Sequence, residues 1–343
     1  MWSAEKANMW HKTKKWILGF NYITSTAVNS TEMWQSESID KKTIETEMAA
    51  ASGCGYNSCR VFLQYLVWKN EGEYFTANLD WFLDICKKYG ITVMPIFLDD
   101  CAFSGREPYP GKQDDPKPGI HNSGWTGSPG FTISDDISNQ ENLRLYIQTI
   151  INKFKDDERI LAWDLYNEPG NSGRKEKSHS LLKNAFTWAR ECCPSQPLTA
   201  AVWAYLDFDL ILLEMSDIIS FHDYTGIDIT KKRITLLKKY NRPMFCTEWL
   251  HRPNGNTFES HVPLYKSENI GIYQWGLVNG KTQTHLNWER DKNINGLPKL
   301  WQHDILTKEL VPYSETEIEF IRKTSDKFPV SGNAAGNANN ADF

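Results

Sequence analysis

Two glutamates stand where short apolar runs break off. Ile160 to Gly170 reads Ile-Leu-Ala-Trp-Asp-Leu-Tyr-Asn-Glu-Pro-Gly. Ile160 to Tyr166 is strand-like, whereas Asn167, Glu168, Pro169 and Gly170 are loop-forming, and the proline steers Glu168 away from helical conformation. Pro243 to Trp249, Pro-Met-Phe-Cys-Thr-Glu-Trp, breaks in the same manner at Glu248. Two carboxyl groups on separate strand ends can share the work on one bond. Cleavage of a glycosidic bond uses such a pair, one protonating the leaving oxygen and the other acting on the anomeric carbon. A separation of about 5 Å gives retention through a covalent intermediate, and a wider gap admits water and gives inversion. The sequence supplies the pair but not the distance.

The elements that must position this pair alternate along the chain. Apolar runs at Trp16–Tyr22, Ser58–Gln64, Ile91–Leu98, Ile160–Tyr166, Pro197–Trp203, Ile218–His222, Pro243–Thr247 and Gly271–Trp275 read as strands buried on both faces. Between them lie helical patterns at Lys42–Ser52, Asn78–Tyr89, Asn139–Lys155, Ser178–Cys193, Phe208–Glu214, Thr230–Tyr240, Ser260–Ser267 and Glu315–Lys327. The second is the most explicit: Asn78 as cap, apolar Leu79, Phe82, Leu83 and Cys86, basic residues in the last turn, and Gly90 as stop. Eight such alternations predict an α/β fold, a single-domain (β/α)8 TIM barrel over 14–330. In a closed ring of eight, strands four and seven lie three positions apart, so Glu168 and Glu248 can face each other across the mouth. A doubly wound sheet is the alternative, but no Gly-rich phosphate fingerprint follows the first strand. Two connections, 99–138 and 278–314, are long enough to wall a cleft. Residues 331–343 are too poor in apolar groups to pack and read as a flexible tail.

Composition narrows the partners. The 343 residues are 40% hydrophobic and 24% charged, with a net charge of -5, so the chain lacks the basic footprint that nucleic acid attracts. Aromatic residues are plentiful, 14 Trp, 14 Tyr and 16 Phe, and Trp125, Trp203, Trp249, Trp288 and Trp301 fall in loop-like stretches where sugar rings could stack. Seven cysteines without regular spacing indicate free, buried thiols rather than a disulfide framework or zinc ribbon. No run approaches a membrane span, and the first fifteen residues hold no apolar signal core. A cytoplasmic chain, or a secreted or periplasmic one with its signal removed, fits equally. Oligomeric state is not readable.

Trp163-Asp-Leu-Tyr-Asn-Glu-Pro169 and Cys246-Thr-Glu-Trp249 resemble the acid/base and nucleophile signatures of the clan A retaining glycoside hydrolases, and the chain most resembles family 5, the cellulase and mannanase family. The likeness runs from about Trp16 to Lys327. It implies Glu168 as general acid/base and Glu248 as nucleophile, on a carbohydrate substrate, with no cofactor or metal. It further implies Arg60 as the arginine orienting the nucleophile and Asn167 as the partner of the sugar 2-hydroxyl. His222 and Tyr224, two apart on strand six, would flank the pair, and Trp275 would floor the subsite for the non-reducing-side sugar. Arg60 beside Glu248 would keep that carboxylate ionised and lower its pKa, while Glu168 in an aromatic pocket would keep its proton. Asp164 shares strand parity with Glu168, points into the barrel and is expected to pair with Arg60 or another polar group, as support rather than catalyst.

One departure bears on substrate. Many family 5 members carry a histidine at the end of strand three, where this chain has Leu98-Asp-Asp-Cys101, with His121 much further along. Asp99, Asp100, Trp125 and Trp203 are therefore candidate sugar contacts. The acidic residues Asp99, Asp100, Asp114 and Asp115 lack calcium-loop spacing and read as a solvated stretch. A carbohydrate-binding barrel without catalysis, an inverting enzyme, and an exo-acting β-glycosidase on small glycosides are the competing readings. The presence of both glutamates, Asn167 and Arg60 argues against the first.

Overall fold

The computed structural model describes residues 1–289, 293, 294 and 297–325. The expected tail at 331–343 and the last residues of the expected 315–327 helix lie outside that range. Eight parallel strands form the core: β1 (Leu18–Tyr22), β2 (Ser58–Phe62), β3 (Thr92–Asp99), β4 (Trp163–Asn167), β5 (Leu198–Thr199 and Ala201–Val202), β6 (Ile219–His222), β7 (Met244–Trp249) and β8 (Gly271–Gln274). Strand β5 is two short pieces about Ala200, and this is where the ring closes. Its first piece pairs with β4 and its second with β6. With β8 paired to β1, the sheet is a (β/α)8 barrel.

Burial explains why these runs became strands. Almost every strand residue is inaccessible to solvent, as continuous apolar runs covered on both faces require. The helices return between strands with their apolar stripes inward. The helix Lys41–Cys54 is capped by Asp40, which accepts from Thr43 N, and stops at Gly55 with φ of 110°. The helix expected at Asn78–Tyr89 instead runs Tyr65–Lys88, with a break in helical dihedrals at Glu71. Asn78 is inside it rather than capping it, because Tyr65, Val67 and Phe75 supply buried apolar contacts a further three turns upstream. Leu79, Phe82, Leu83 and Cys86 all face the core.

Residues 1–13, placed outside the barrel by the sequence reading, contain the helix Ala4–Lys12. It lies across the N-terminal mouth of the barrel, where Trp10 packs on the cluster of Ile17, Met94, Leu161, Ile218 and Phe245. Trp2 anchors the approach through its N–H to Asp217 Oδ1 (2.7 Å) and its carbonyl to Arg242 Nη2 (2.9 Å). The mouth at the N-terminal ends of the strands is thereby covered by apolar contact. No helix among the described residues is long and apolar enough to cross a membrane. All seven cysteines are free, with Cys193 exposed and the other six buried.

Two glycines make room for rings inside the barrel. A Cβ on Gly19 would stand 2.4 Å from Tyr273 Cδ1 and 3.0 Å from the Ser58 carbonyl, and one on Gly271 would stand 2.4 Å from Phe245 Cδ1. Substituting Gly19→Ala should therefore cost about 1–3 kcal/mol through overpacking. Urea unfolding checks this, and an unchanged midpoint would show that the Tyr273 ring has room to move.

Candidate active site

Strand β4 delivers Asn167 into the barrel and Glu168 just beyond its end. Glu168 has φ of 44°, a left-handed conformation costly for a residue with a Cβ. The turn is held from below by Asp100, whose Oδ2 accepts from Gly170 N (2.7 Å) and from the Ser178 hydroxyl. Asp100 Oδ1 accepts from the Tyr166 hydroxyl (2.8 Å), and Arg174 lies 3.5 Å away. Asp100 is thus consumed by the turn and does not line the cavity. Its neighbour Asp99 is also buried, with one carboxylate oxygen accepting from Asn167 Nδ2 and Cys101 N (2.8 and 2.9 Å) and the other from Trp125 Nε1 (2.8 Å). The stretch expected to be solvated is so only at Asp114 and Asp115; Asp99 and Asp100 are interior because their oxygens meet donors there.

Across the mouth, β7 delivers Glu248. Its Oε1 accepts from Arg60 Nη1 (3.0 Å) and its Oε2 from the Tyr224 hydroxyl (2.8 Å). Arg60 is fully buried and divides its donors among three strands: Nε and Nη2 to Asp164 Oδ2 (2.9 and 2.8 Å), Nη1 also to Asn21 (2.7 Å), and Nη2 also to Asn167 Oδ1 (2.8 Å). Asp164 has the partner expected of it. Asn167 is gripped through both ends of its amide, by Arg60 and by Asp99, which fixes which atom faces which way.

The two glutamates face each other across His222. One oxygen of each, together with a ring nitrogen of His222, lie within 4.8 Å of one another. His222 Nδ1 is 2.6 Å from Glu168 Oε1 and 3.4 Å from Glu248 Oε2. This trio could also hold a divalent ion through the same atoms. Burial, reinforced by the charge of Arg60, drives His222 down to about 3, so the ring is neutral. A neutral ring can donate from Nδ1 to an ionised Glu168 or accept from a protonated one, by exchanging tautomers.

Burial pushes Glu168 above the ordinary carboxylate range, against hydrogen bonds from the Cys101 thiol (3.2 Å) and the Asn171 amide. Burial also pushes Glu248 up, aided by the charge of Glu168 and opposed by Arg60 and Tyr224. The lowered pKa expected for Glu248 is therefore not found: one contacting guanidinium, already shared with Asp164, does not outweigh desolvation. The asymmetry survives in the contacts, because Arg60 touches Glu248 and not Glu168. Tyr224 likewise donates to Glu248 and not to Glu168.

These groups line one cavity of about 540 Å³, within the range of small-molecule sites. Glu168, Glu248, Asn167, His222, Tyr224 and Trp275 all border it, as do Trp125 and Trp203. Trp125 stands edge-on to Trp275, and Trp203 is tied by its indole N–H to the Pro169 carbonyl (3.1 Å). Arg60 and Asp100 lie behind the wall. Of the other loop tryptophans, Trp288 borders the cavity, Trp249 is core, and Trp301 stacks on Tyr313 away from it. Cys101 and Asn171, which both touch Glu168, were not singled out in the sequence. Asn171 is three residues beyond Glu168 and could have been suspected from the tight Asn-Glu-Pro-Gly-Asn turn; Cys101 was noted only as part of the Leu98-Asp-Asp-Cys101 departure, and nothing in its type pointed to Glu168.

No protein-family model matches the chain, and no curated protein matches it in sequence. Solved structures do match in fold. An exo-β-1,4-mannosidase from Opitutaceae bacterium strain TAV5 superposes with a TM-score of 0.63 at 15% identity over 92% of this chain, which spans only 60% of the mannosidase chain. A GH5_18 protein from Streptomyces cattleya, in complex with Manβ1-4GlcNAc, gives 0.60 at 13% identity over 91% of this chain and 82% of that one. The endo-1,4-β-D-mannanase of Thermotoga petrophila RKU-1 gives 0.57 at 12% identity over 90% and 99%. At such identities the likeness is one of fold. The class is the (β/α)8 barrel shared by clan A glycoside hydrolases. Within it, the chain is similar in architecture to proteins of glycoside hydrolase family 5.

The thiol of Cys101 donates toward Glu168 and so favours its ionised form. Cys101→Ala should raise the pKa of Glu168 further, read by carboxyl carbon chemical shifts titrated against the parent protein. An unmoved titration would mean that the thiol contact has no energetic weight.

Proposed function

We propose that the protein is a retaining β-glycoside hydrolase acting on β-linked oligosaccharides or polysaccharides by double displacement. The observation that carries this is the closeness of the two carboxyl groups, with an oxygen of each inside 4.8 Å. That closeness matches the separation of about 5 Å found in retaining enzymes better than the about 6.5–9.5 Å of inverting ones. In the first step an oxygen of Glu248 forms a bond to the anomeric carbon while the glycosidic C–O bond breaks, and the proton on Glu168 passes to the leaving oxygen. In the second, Glu168 takes a proton from water as its oxygen adds to the anomeric carbon and Glu248 is released. The Glu168–His222 contact suits this alternation, because the neutral ring can face either protonation state of the acid.

The surrounding groups have matching work. Arg60 and Tyr224 hold the Glu248 carboxylate in one orientation and favour its ionised form. Asn167, clamped by Arg60 and Asp99, is placed to hydrogen-bond the 2-hydroxyl of the sugar whose bond breaks. Trp275 offers its face as the floor of that subsite. The fold neighbours are named as mannosidases, mannanases and glucanases, which supports a β-linked carbohydrate without selecting the sugar.

Incubation with a panel of activated 2-deoxy-2-fluoro β-glycosides should add one sugar mass, located on Glu248 by peptide mapping. Absence of adduct with every sugar of the panel would count against the covalent route. Glu168→Gln should lower kcat about 10²–10⁴-fold on substrates with poor leaving groups and far less on those with activated ones, since only the former need the proton. Because burial raises both glutamates, the bell-shaped pH profile of kcat/KM should lie above the ordinary carboxylate range: Glu248 sets the acid limb and Glu168 the alkaline limb.

A further inference from the structure

The long loops after β3 and β8 are joined to each other. Asn122 N donates to the Thr282 carbonyl (2.7 Å), and Gly119 N donates to Gln283 Oε1 (3.0 Å). Gln283 Nε2 returns two bonds, to the carbonyls of Lys117 (2.8 Å) and Ile120 (3.1 Å). His121 completes the seam: its Nε2 accepts from Trp288 Nε1 (3.0 Å), so its Nδ1 carries the hydrogen and donates to the Leu286 carbonyl (2.8 Å). The loop after β1 supports both partners from beneath, through Lys281 N to the Ser25 carbonyl (3.0 Å) and Asn29 Nδ2 to the Gly124 carbonyl (3.1 Å). In the ring, β1 and β2 lie between β8 and β3. A seam between the β3 and β8 loops therefore spans the mouth over β1 and β2. Elsewhere, by contrast, Phe103, in the start of the β3 loop that Ala102 N ties to Ser172 Oγ beyond β4 (3.1 Å), and Leu206, after β5, stand 53% and 56% exposed.

The chemistry assigns the two ends of the cavity. The leaving group must lie beside the acid, Glu168, at the end of β4 with Asn171 and Trp203 around it, which is the open side. The sugar that stays behind then lies toward Trp275, Trp125 and His121, against the seam. From this we infer that the protein is exo-acting: the joined loops leave space for one terminal sugar on the glycone side and exclude a second, so single monosaccharides are removed from the non-reducing end. The inference rests on the retaining hydrolase reading above.

Two atoms fit a terminal sugar, whose hydroxyls are more numerous than those of an internal one. Asn122 Oδ1 and His222 Nε2 are buried with no hydrogen-bond partner among the described residues, and both residues border the cavity. A buried polar atom left so is costly unless a ligand supplies the partner. The seam's Gln283 does not border the cavity itself, so it can be altered without touching the sugar subsite.

The test uses the same activated 2-deoxy-2-fluoro chemistry with matched monosaccharide and β-linked disaccharide reagents, followed by intact mass. Adduct from the monosaccharide, formed at least about 100-fold faster than from the disaccharide, is the expected result. Gln283→Ala should narrow that difference by opening the seam. Comparable labelling of the parent protein by the disaccharide overturns exo action while leaving the retaining mechanism standing. Failure of both reagents for every sugar removes the mechanism itself and the inference with it. Digestion of a reducing-end-labelled oligosaccharide series gives an independent readout: loss of one residue at a time supports the inference, and release of disaccharides or longer pieces overturns it.

Discussion

A guanidinium with no access to water organises the end of this barrel that holds Glu168 and Glu248. An ion so buried is tolerated only when its charge and its donors are met, and breaking such a pair costs about 3–5 kcal/mol. Arg60 meets this by reaching β1, β4 and β7 at once, through Asn21, Asp164, Asn167 and Glu248. The same contacts that satisfy the cation fix the orientation of the groups proposed to hold the sugar and to attack it. Asp164 carries much of the compensation, which leaves Glu248 a neighbour of the cation rather than its sole counter-ion. That sharing is why Glu248 remains raised by burial despite the contact.

A second layer of buried acid supports the opposite glutamate. Asp99 and Asp100 are adjacent in sequence but face different ways at the end of β3, as neighbours on a strand do. Asp99 clamps Asn167 and Trp125, while Asp100 ties down the turn that holds Glu168 in its left-handed conformation. Burial raises Asp99 to about 7, against the donors of Asn167, Cys101 and Trp125. Strand β3 thus acts on the site through its neighbour β4 and through a loop indole. The position where many family 5 proteins carry histidine is filled by carboxylates and a thiol.

The loops that decide what reaches the site are built on local turns joined over long sequence distances. Gln283 bonds residues more than 160 positions earlier, and Asn122 bonds Thr282 far along the chain in the other direction. Such contacts exist only once the barrel has brought β3 and β8 to either side of β1 and β2. The cavity is therefore bordered, on the side of β1 and β2, by two loops held to each other.

The sequence by itself determined the barrel, the order of its strands and the two carboxylates at the ends of β4 and β7. Periodic burial and turn chemistry are local properties, legible in runs such as Ile160 to Gly170. It also called for a partner to Asp164, Arg60 or another polar group, since a charge facing the interior must be met. It misplaced the start of the Tyr65–Lys88 helix and passed over the Ala4–Lys12 helix, because both depend on apolar contacts with distant strands rather than on caps and periodicity. Only the tertiary structure decided the separation of Glu168 and Glu248, the contact of Cys101 with the acid, the burial of Asp99 and Asp100, and the joining of two loops across the mouth. Each of these is a distance between atoms remote in the chain, set by the closure of the ring and by which desolvated groups found partners within it.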